Sequence, residues 1–151
     1  MPLELVFLVL NYSVVPAWLL LVFAPRWRWT QRLVHSALVP LLLGSAYTLL
    51  LFTDSEGSPD SSFFTLDGVM AIFTSPQTVI AAWVHYLIFD LFVGAWEVRD
   101  AARRGIPHVW IVPSLVLTLL FGPLGLLTYL VLRALKTRAL LLDPLWLGQE
   151  R

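Results

Sequence analysis

Apolar residues run through this chain in four long stretches, at residues 3–24, 33–52, 78–96 and 107–132, with polar positions gathered between them. A helix needs about 20 mostly apolar residues to cross the hydrocarbon core of a bilayer, and all four stretches qualify. None shows the strict apolar–polar alternation of a barrel strand, so helices are expected. The pattern predicts an all-α fold: an integral membrane four-helix bundle in one domain, residues 1–151, with a polar loop at 53–77 and a C-terminal tail at 133–151. Within the loop, 54–62 has turn-forming composition. A short extra-membrane helix is expected at 63–73, capped near Thr65 and too short to cross.

Composition sharpens this picture. Of 151 residues, 58% are hydrophobic and 13% charged, with a mean hydropathy of +0.78. Soluble domains carry about 25% charged residues, so a water-soluble enzyme and a disordered chain are excluded. Ten basic and ten acidic residues cancel, which leaves no overall field for a polyanion and no nucleic-acid partner. There is no cysteine, hence no disulfide or zinc-thiolate site, and three histidines leave little for a metal centre.

The charges between the stretches suggest an orientation. Arg26, Arg28 and Arg32 follow the first stretch, and Arg99, Arg103 and Arg104 follow the third, where a solvated loop with local ion pairs is expected. The middle loop has no Lys or Arg and carries Asp54, Glu56, Asp60 and Asp67. The positive-inside rule places the first and third loops in the cytoplasm and the middle loop outside. Four crossings would then leave Arg133, Lys136 and Arg138 outside, against the same rule. A re-entrant hairpin at Gly122-Pro123 would resolve the conflict. At about 1.5 Å per residue, however, the fourth stretch reaches only about 39 Å, too little for two crossings. The N-terminus lacks the basic start and small-residue cleavage site of a signal peptide, so a retained first span is expected, in a bacterial inner (cytoplasmic) membrane.

The informative residues are those that hydrocarbon excludes. His85 and Asp90 lie near the middle of the third stretch, where an Asp costs about 2.5–3.5 kcal/mol to insert. At about 100° per residue, five positions separate them by roughly 140° around the helix, so they cannot bond each other directly. Asp90 shares its face with Trp83, Tyr86, Gly94 and Glu97; each of the pair is expected to be shielded from lipid and to need a partner on another helix. Stripes on the other stretches offer such partners: Asn11, Val15, Trp18 and Val22; Ser36, Pro40, Gly44 and Tyr47; Ser114, Thr118, Gly122, Gly125 and Tyr129. Small residues there also serve plain helix packing, and His85 would equally suit a structural interhelical bond. His35 and His108 sit near span ends, where an interfacial role is expected. No phosphate loop, His-based metal pair or nucleophile elbow is present, and no cofactor is expected.

Several blocks resemble one family. Asn11-x-x-x-x-Pro16-x-Trp18-x-Leu20 opens the match, followed by Pro40-x-x-x-Gly44-x-x-Tyr47. The most specific blocks are His85-Tyr86-x-x-Phe89-Asp90-Leu91-Phe92-Val93-Gly94 and Phe121-Gly122-Pro123-Leu124-Gly125-Leu126-Leu127. Together they are similar to the abscisic-acid-deficient-4-like family, whose plant member is neoxanthin synthase. The resemblance implies a four-helix membrane protein and, in the plant member, rearrangement of an epoxy-carotenoid into an allene without net redox change. The absence of a plastid transit peptide before the first span suits a bacterial relative or a mature form.

The residues can be matched to that chemistry. Opening an epoxide while forming an allene needs an acid for the oxygen and a base for a vinylic proton. Asp90 and His85 are the candidate catalytic residues, although their separation on one helix makes Asn11, Tyr47 or Tyr129 easier companions for Asp90. Asn11, Trp18, Tyr47, Trp83, Tyr86 and Tyr129 are the candidate substrate-binding residues. The expected function is an isomerase-type enzyme acting on a carotenoid or related isoprenoid. The alternative is a non-catalytic carotenoid- or lipid-binding membrane protein; a small transporter lacks an inverted repeat. The expected partners are the lipid bilayer and a lipophilic, carotenoid-like small molecule, with homo-oligomerisation left open.

Overall fold

A computed structural model describes residues 2–54 and 57–138. Residues 55–56 of the polar loop, and the tail from residue 139 onward, lie outside the described residues. Eight helical segments and no strand occur among the described residues: α1 (Leu3–Ser13), α2 (Val15–Phe23), α3 (Arg28–Leu33), α4 (Leu38–Thr53), α5 (Leu66–Ile72), α6 (Pro76–Arg103), α7 (His108–Phe121) and α8 (Pro123–Thr137). The chain divides into two units, Met1–Ala95 and Trp96–Arg151, with the boundary inside α6.

In the first unit, α1 and α2 are nearly one helix, interrupted at Val14. Pro16 explains the interruption, because it has no N–H to give to the Tyr12 carbonyl one turn back. The break also shifts the packed face. Val14, Ala17, Trp18 and Leu21 are buried while Val15 is exposed, so the expected Asn11–Val15–Trp18–Val22 stripe meets α6 at Asn11 and Trp18 but not at Val15. Asn11 and Trp18 contact Trp83 and Gly94 on α6 respectively, so α1–α2 and α6 run in the same direction. Opposite in sense, α4 brings Tyr47 to His85, and Gln77 bonds the Leu50 carbonyl and Thr53 hydroxyl at its far end. The short helix expected in the loop is α5, and Thr65 caps it by accepting the Gly68 N–H at 3.1 Å.

In the second unit, the stretch expected as one helix at 107–132 is two. Gly122 takes φ 47° and ψ −95°, a backbone state suited to glycine. Pro123 then opens α8 at a position where its missing N–H does no harm. The two helices fold back on each other: Gly125 lies against Thr118, and Lys136 Nζ sits 4.1 Å from the Trp110 ring centroid. The Ser114, Thr118, Gly122, Gly125, Tyr129 stripe is thereby split across two helices that meet along it.

Two helical runs, Leu3–Phe23 and Pro76–Arg103, are long and apolar enough to cross a membrane, while α4 and α7 are apolar but shorter. The four full spans expected are thus not found as four long helices. At about 1.5 Å per residue, the 16 residues of α4 reach about 24 Å, short of the hydrocarbon thickness. Burial is also unlike that of a soluble core. Only 22% of the most apolar window of Leu3–Phe23 is buried, and Leu41, Leu42, Leu49 and Phe52 on α4 are all exposed.

Candidate functional site

Helix α6 carries the polar residues of the first unit, on the two sides that helical spacing predicts. Asp90 is buried, 8% exposed. Tyr86, one turn back on the same side, is the side chain that interacts with its carboxyl. Asp90 Oδ2 is buried with no hydrogen-bond partner among the described residues. Buried polar atoms are nearly always paired, so this oxygen is the most distinctive atom of the unit.

From Tyr86 the aromatic contacts run back along α6, away from Asp90, to Trp83 and Phe7. The Trp83 and Tyr86 rings lie 5.4 Å apart between centroids, and Phe7 lies 6.4 Å from Trp83. Trp83 Nε1 donates a 2.8 Å hydrogen bond to Asn11 Oδ1. Asn11 therefore orients the indole and is not Asp90's partner. One turn beyond Asp90, Gly94 makes room for Trp18, whose Cη2 would stand 2.7 Å from a Cβ placed on the glycine. The sequence grouped Asn11, Trp18, Trp83, Tyr86 and Asp90, and the structure brings them together along α1–α2 and α6.

His85 is placed differently from expectation. It is exposed, not shielded, and its ring belongs to a ladder with Tyr47 at 5.9 Å and Phe89 at 4.5 Å. The reason is the composition of α4 opposite it: Gly44 and Ser45 leave a groove of about 710 Å³ that His85 and Tyr47 line. Tyr47 thus accompanies His85 and does not reach Asp90. His35 and His108 are half-buried at helix ends.

The second unit holds a polar cluster that sequence reasoning missed. The segment expected as a solvated loop, Glu97 to Arg104, continues α6 through Arg103, and Glu97 and Asp100 are buried. Asp100 Oδ2 accepts the Tyr129 hydroxyl at 2.6 Å and Arg133 Nη1 at 3.3 Å, while Arg104 Nε bonds both its carboxylate oxygens at 2.9 Å. Tyr129 is therefore a partner of Asp100 and not of Asp90. Glu97 Oε1 accepts the Thr118 hydroxyl at 3.0 Å, and its Oε2 is buried without a hydrogen-bond partner among the described residues. Arg133, expected in a tail, is 1% exposed on α8, with its guanidinium 5.9 Å from the Trp96 ring centroid. Two signals were available: no glycine or proline interrupts 97–104, and Tyr129 and Arg133 lie one helical turn apart. Among the described residues, no group of three or more His, Asp or Glu side chains could hold a metal ion.

Comparison with known proteins gives a consistent result. The family model described as ABA DEFICIENT 4-like matches residues 5–129. Among curated proteins, "Protein ABA DEFICIENT 4, chloroplastic" from Arabidopsis thaliana is 29% identical over 137 residues. That match covers 86% of this chain and 61% of the relative, so the chain spans less than two thirds of the relative's length. No solved structure matches.

Proposed function

The chain belongs to the ABA DEFICIENT 4-like family, and from that premise we propose that it is an integral membrane protein that rearranges an epoxy-carotenoid or a related isoprenoid by acid–base chemistry. The observation that carries this reading is Asp90: a buried carboxyl beside Tyr86, with one oxygen unpartnered among the described residues. A carboxyl is a costly group to place among apolar helices unless it meets a polar partner. The oxygen of an incoming lipophile supplies one.

The rearrangement balances within the substrate. One epoxide C–O bond breaks as its oxygen takes a proton and becomes a hydroxyl. A vinylic carbon loses a proton to the carboxylate that the first transfer leaves behind, and the electrons of that C–H bond form the second double bond of the allene. One proton is gained and one lost, with no change in oxidation state. Asp90 in its acid form is the donor in this scheme, and the rings of Trp83, Tyr86 and Phe7 hold the conjugated chain beside it. A positioned acid of this kind contributes about 10²–10⁴-fold to the rate.

Membrane residence is supported by the apolar runs Leu3–Phe23 and Pro76–Arg103 and by the exposed leucines of α4. Water would leave such a surface prone to association, whereas lipid solvates it. The curated relative is described as chloroplastic, so the comparison lends no support to a bacterial inner membrane.

A second reading, a carotenoid-binding protein without catalysis, is favoured by one observation. His85 stacks with Tyr47 and Phe89, on the other side of α6 from Asp90, so it cannot serve as the base for an atom that Asp90 protonates. Expression in a host that accumulates an epoxy-carotenoid separates the two. Conversion predicts a new pigment of unchanged mass with an allenic spectrum; co-purification of unaltered pigment supports binding alone.

A further inference from the structure

We propose that the groove between α4 and the His85 side of α6 is a binding site for a neutral, hydroxyl-bearing conjugated isoprenoid, separate from the Asp90 site. The proposal rests on the reading of a lipophilic substrate above, and it adds a second place where that class of molecule sits. The groove is an open cleft of about 710 Å³, within the range of about 300–1,000 Å³ typical of small-molecule sites.

The walls specify the occupant. Pro40, Leu41, Phe52, Ile88 and Phe89 make the groove apolar, and no Lys, Arg, Asp or Glu lines it. A phosphorylated isoprenoid or an anionic lipid headgroup would find no counter-charge there, so a neutral molecule is selected. Two hydroxyls on the wall are already engaged: Ser45 donates to the Leu41 carbonyl at 2.8 Å and Thr48 to the Gly44 carbonyl at 2.8 Å.

The remaining side-chain polar groups of the lining are the His85 imidazole and the Tyr47 hydroxyl, and neither makes a hydrogen bond among the described residues. In an apolar surrounding, an imidazole without a partner is unfavourable, and a ligand hydroxyl relieves it. The Tyr47–His85–Phe89 ladder, with centroid spacings of 5.9 and 4.5 Å, offers a run of ring faces along which a flat conjugated chain can lie. Gly44 keeps the floor open, since a Cβ there would meet nothing within 4 Å.

That open floor supplies the test. Purified full-length protein in nanodiscs is titrated with zeaxanthin and with its unhydroxylated counterpart β-carotene, and binding is read by induced circular dichroism of the pigment. Gly44→Leu places a side chain in the groove from a position where its Cβ meets nothing within 4 Å, and it is expected to weaken binding of both pigments at least about tenfold. His85→Phe keeps the ring ladder and removes the imidazole. It is expected to weaken zeaxanthin roughly three- to tenfold and leave β-carotene unchanged, as loss of one hydrogen bond implies.

Wild-type affinity for both pigments in Gly44→Leu would overturn the proposal, as would equal weakening of the two by His85→Phe. An oligomer that Gly44→Leu disperses, with pigment binding unaltered, would assign the groove to a second copy of the chain and overturn it too. Because the readout is binding, and neither pigment carries an epoxide, failure to convert an epoxy-carotenoid in the expression test would sink the catalytic reading and leave this one standing.

Discussion

The Tyr129 hydroxyl donates a 2.6 Å hydrogen bond to Asp100 Oδ2, the same oxygen that accepts from Arg133 Nη1. All three side chains are buried, so one carboxylate ties α8 to the end of α6. Arg104 closes the other side of Asp100 with bonds to both oxygens. The acid is thereby surrounded by donors that match it, which is the condition under which a buried ion pair is tolerated.

Removing Asp100 should therefore be severe. Asp100→Leu takes from the buried Arg133 guanidinium the carboxylate it pairs with, and breaking a buried pair in this way costs about 3–5 kcal/mol. Replacing both members, Asp100→Leu with Arg133→Met, should recover at least half of that loss, because the more deeply buried of the two arginines that pair with Asp100 is then gone. Thermal unfolding in detergent, followed by near-UV circular dichroism, measures both. A double variant no more stable than the single would show that the ion pair is not what holds the hairpin.

The close approach of Trp18 to Gly94 gives a steric prediction. A methyl group on Gly94 would stand 2.7 Å from Trp18 Cη2 and 2.8 Å from its Cζ3. Overpacking of this kind costs about 1–3 kcal/mol. Gly94→Ala should lower stability by that amount, and adding Trp18→Leu should restore most of it. Gly44→Ala, with open space around it, should be neutral or slightly stabilising, since alanine is the better helix former by about 1 kcal/mol. Equal effects of the two alanines in a detergent melt would contradict the packing described.

The residues that announced themselves in the sequence were those that hydrocarbon penalises. Asp90 stood out because its insertion has a known cost, and the 3.6-residue period put Trp83 and Tyr86 on its side and His85 on the other. Partnerships were harder to read, because periodicity gives a side chain's direction on its own helix and not the neighbour it meets. Asn11 therefore turned out to hold Trp83, and Tyr129 to hold Asp100. The Glu97–Arg104 segment was misread because charge density outweighed periodicity: five of its eight residues, Glu97, Arg99, Asp100, Arg103 and Arg104, are charged. What keeps those acids inside is Thr118, Tyr129 and Arg133, contributed from more than 20 positions away in the chain. The turn at Gly122-Pro123 was visible as a motif, but its length was weighed for crossing the bilayer twice. The hairpin need not do so, because its buried polar groups meet the end of α6 while its two helices pack on each other.

Sidedness follows from the direction of the helices in the first unit. With α1–α2 and α6 running one way and α4 the other, the Arg26–Arg32 segment lies at the opposite end of α4 from Ser58. The positive-inside rule then places Ser58 outside. In sealed inside-out vesicles, a cysteine at position 58 should resist a membrane-impermeant maleimide until detergent is added, and a cysteine replacing Gln31 should react at once. The reverse pattern would refute this orientation.

Asp90→Asn tests the proposed chemistry most directly. The amide has nearly the volume of a protonated carboxyl and still donates a hydrogen bond, so packing against Tyr86 should persist. It cannot transfer a proton to an opening epoxide. If the chain is the proposed isomerase, conversion should fall by about 10²–10⁴-fold, the contribution of a positioned general acid. A purely structural hydrogen bond between membrane helices averages only about 0.6 kcal/mol, which would register as a small change in accumulation and none in turnover per molecule. The measurement is pigment composition normalised to membrane-inserted protein. A variant that converts pigment at the wild-type rate per molecule would remove Asp90 from the reaction. Lost conversion with normal insertion and normal pigment binding would place the acid step at this carboxyl, because neither packing nor affinity would then account for the loss.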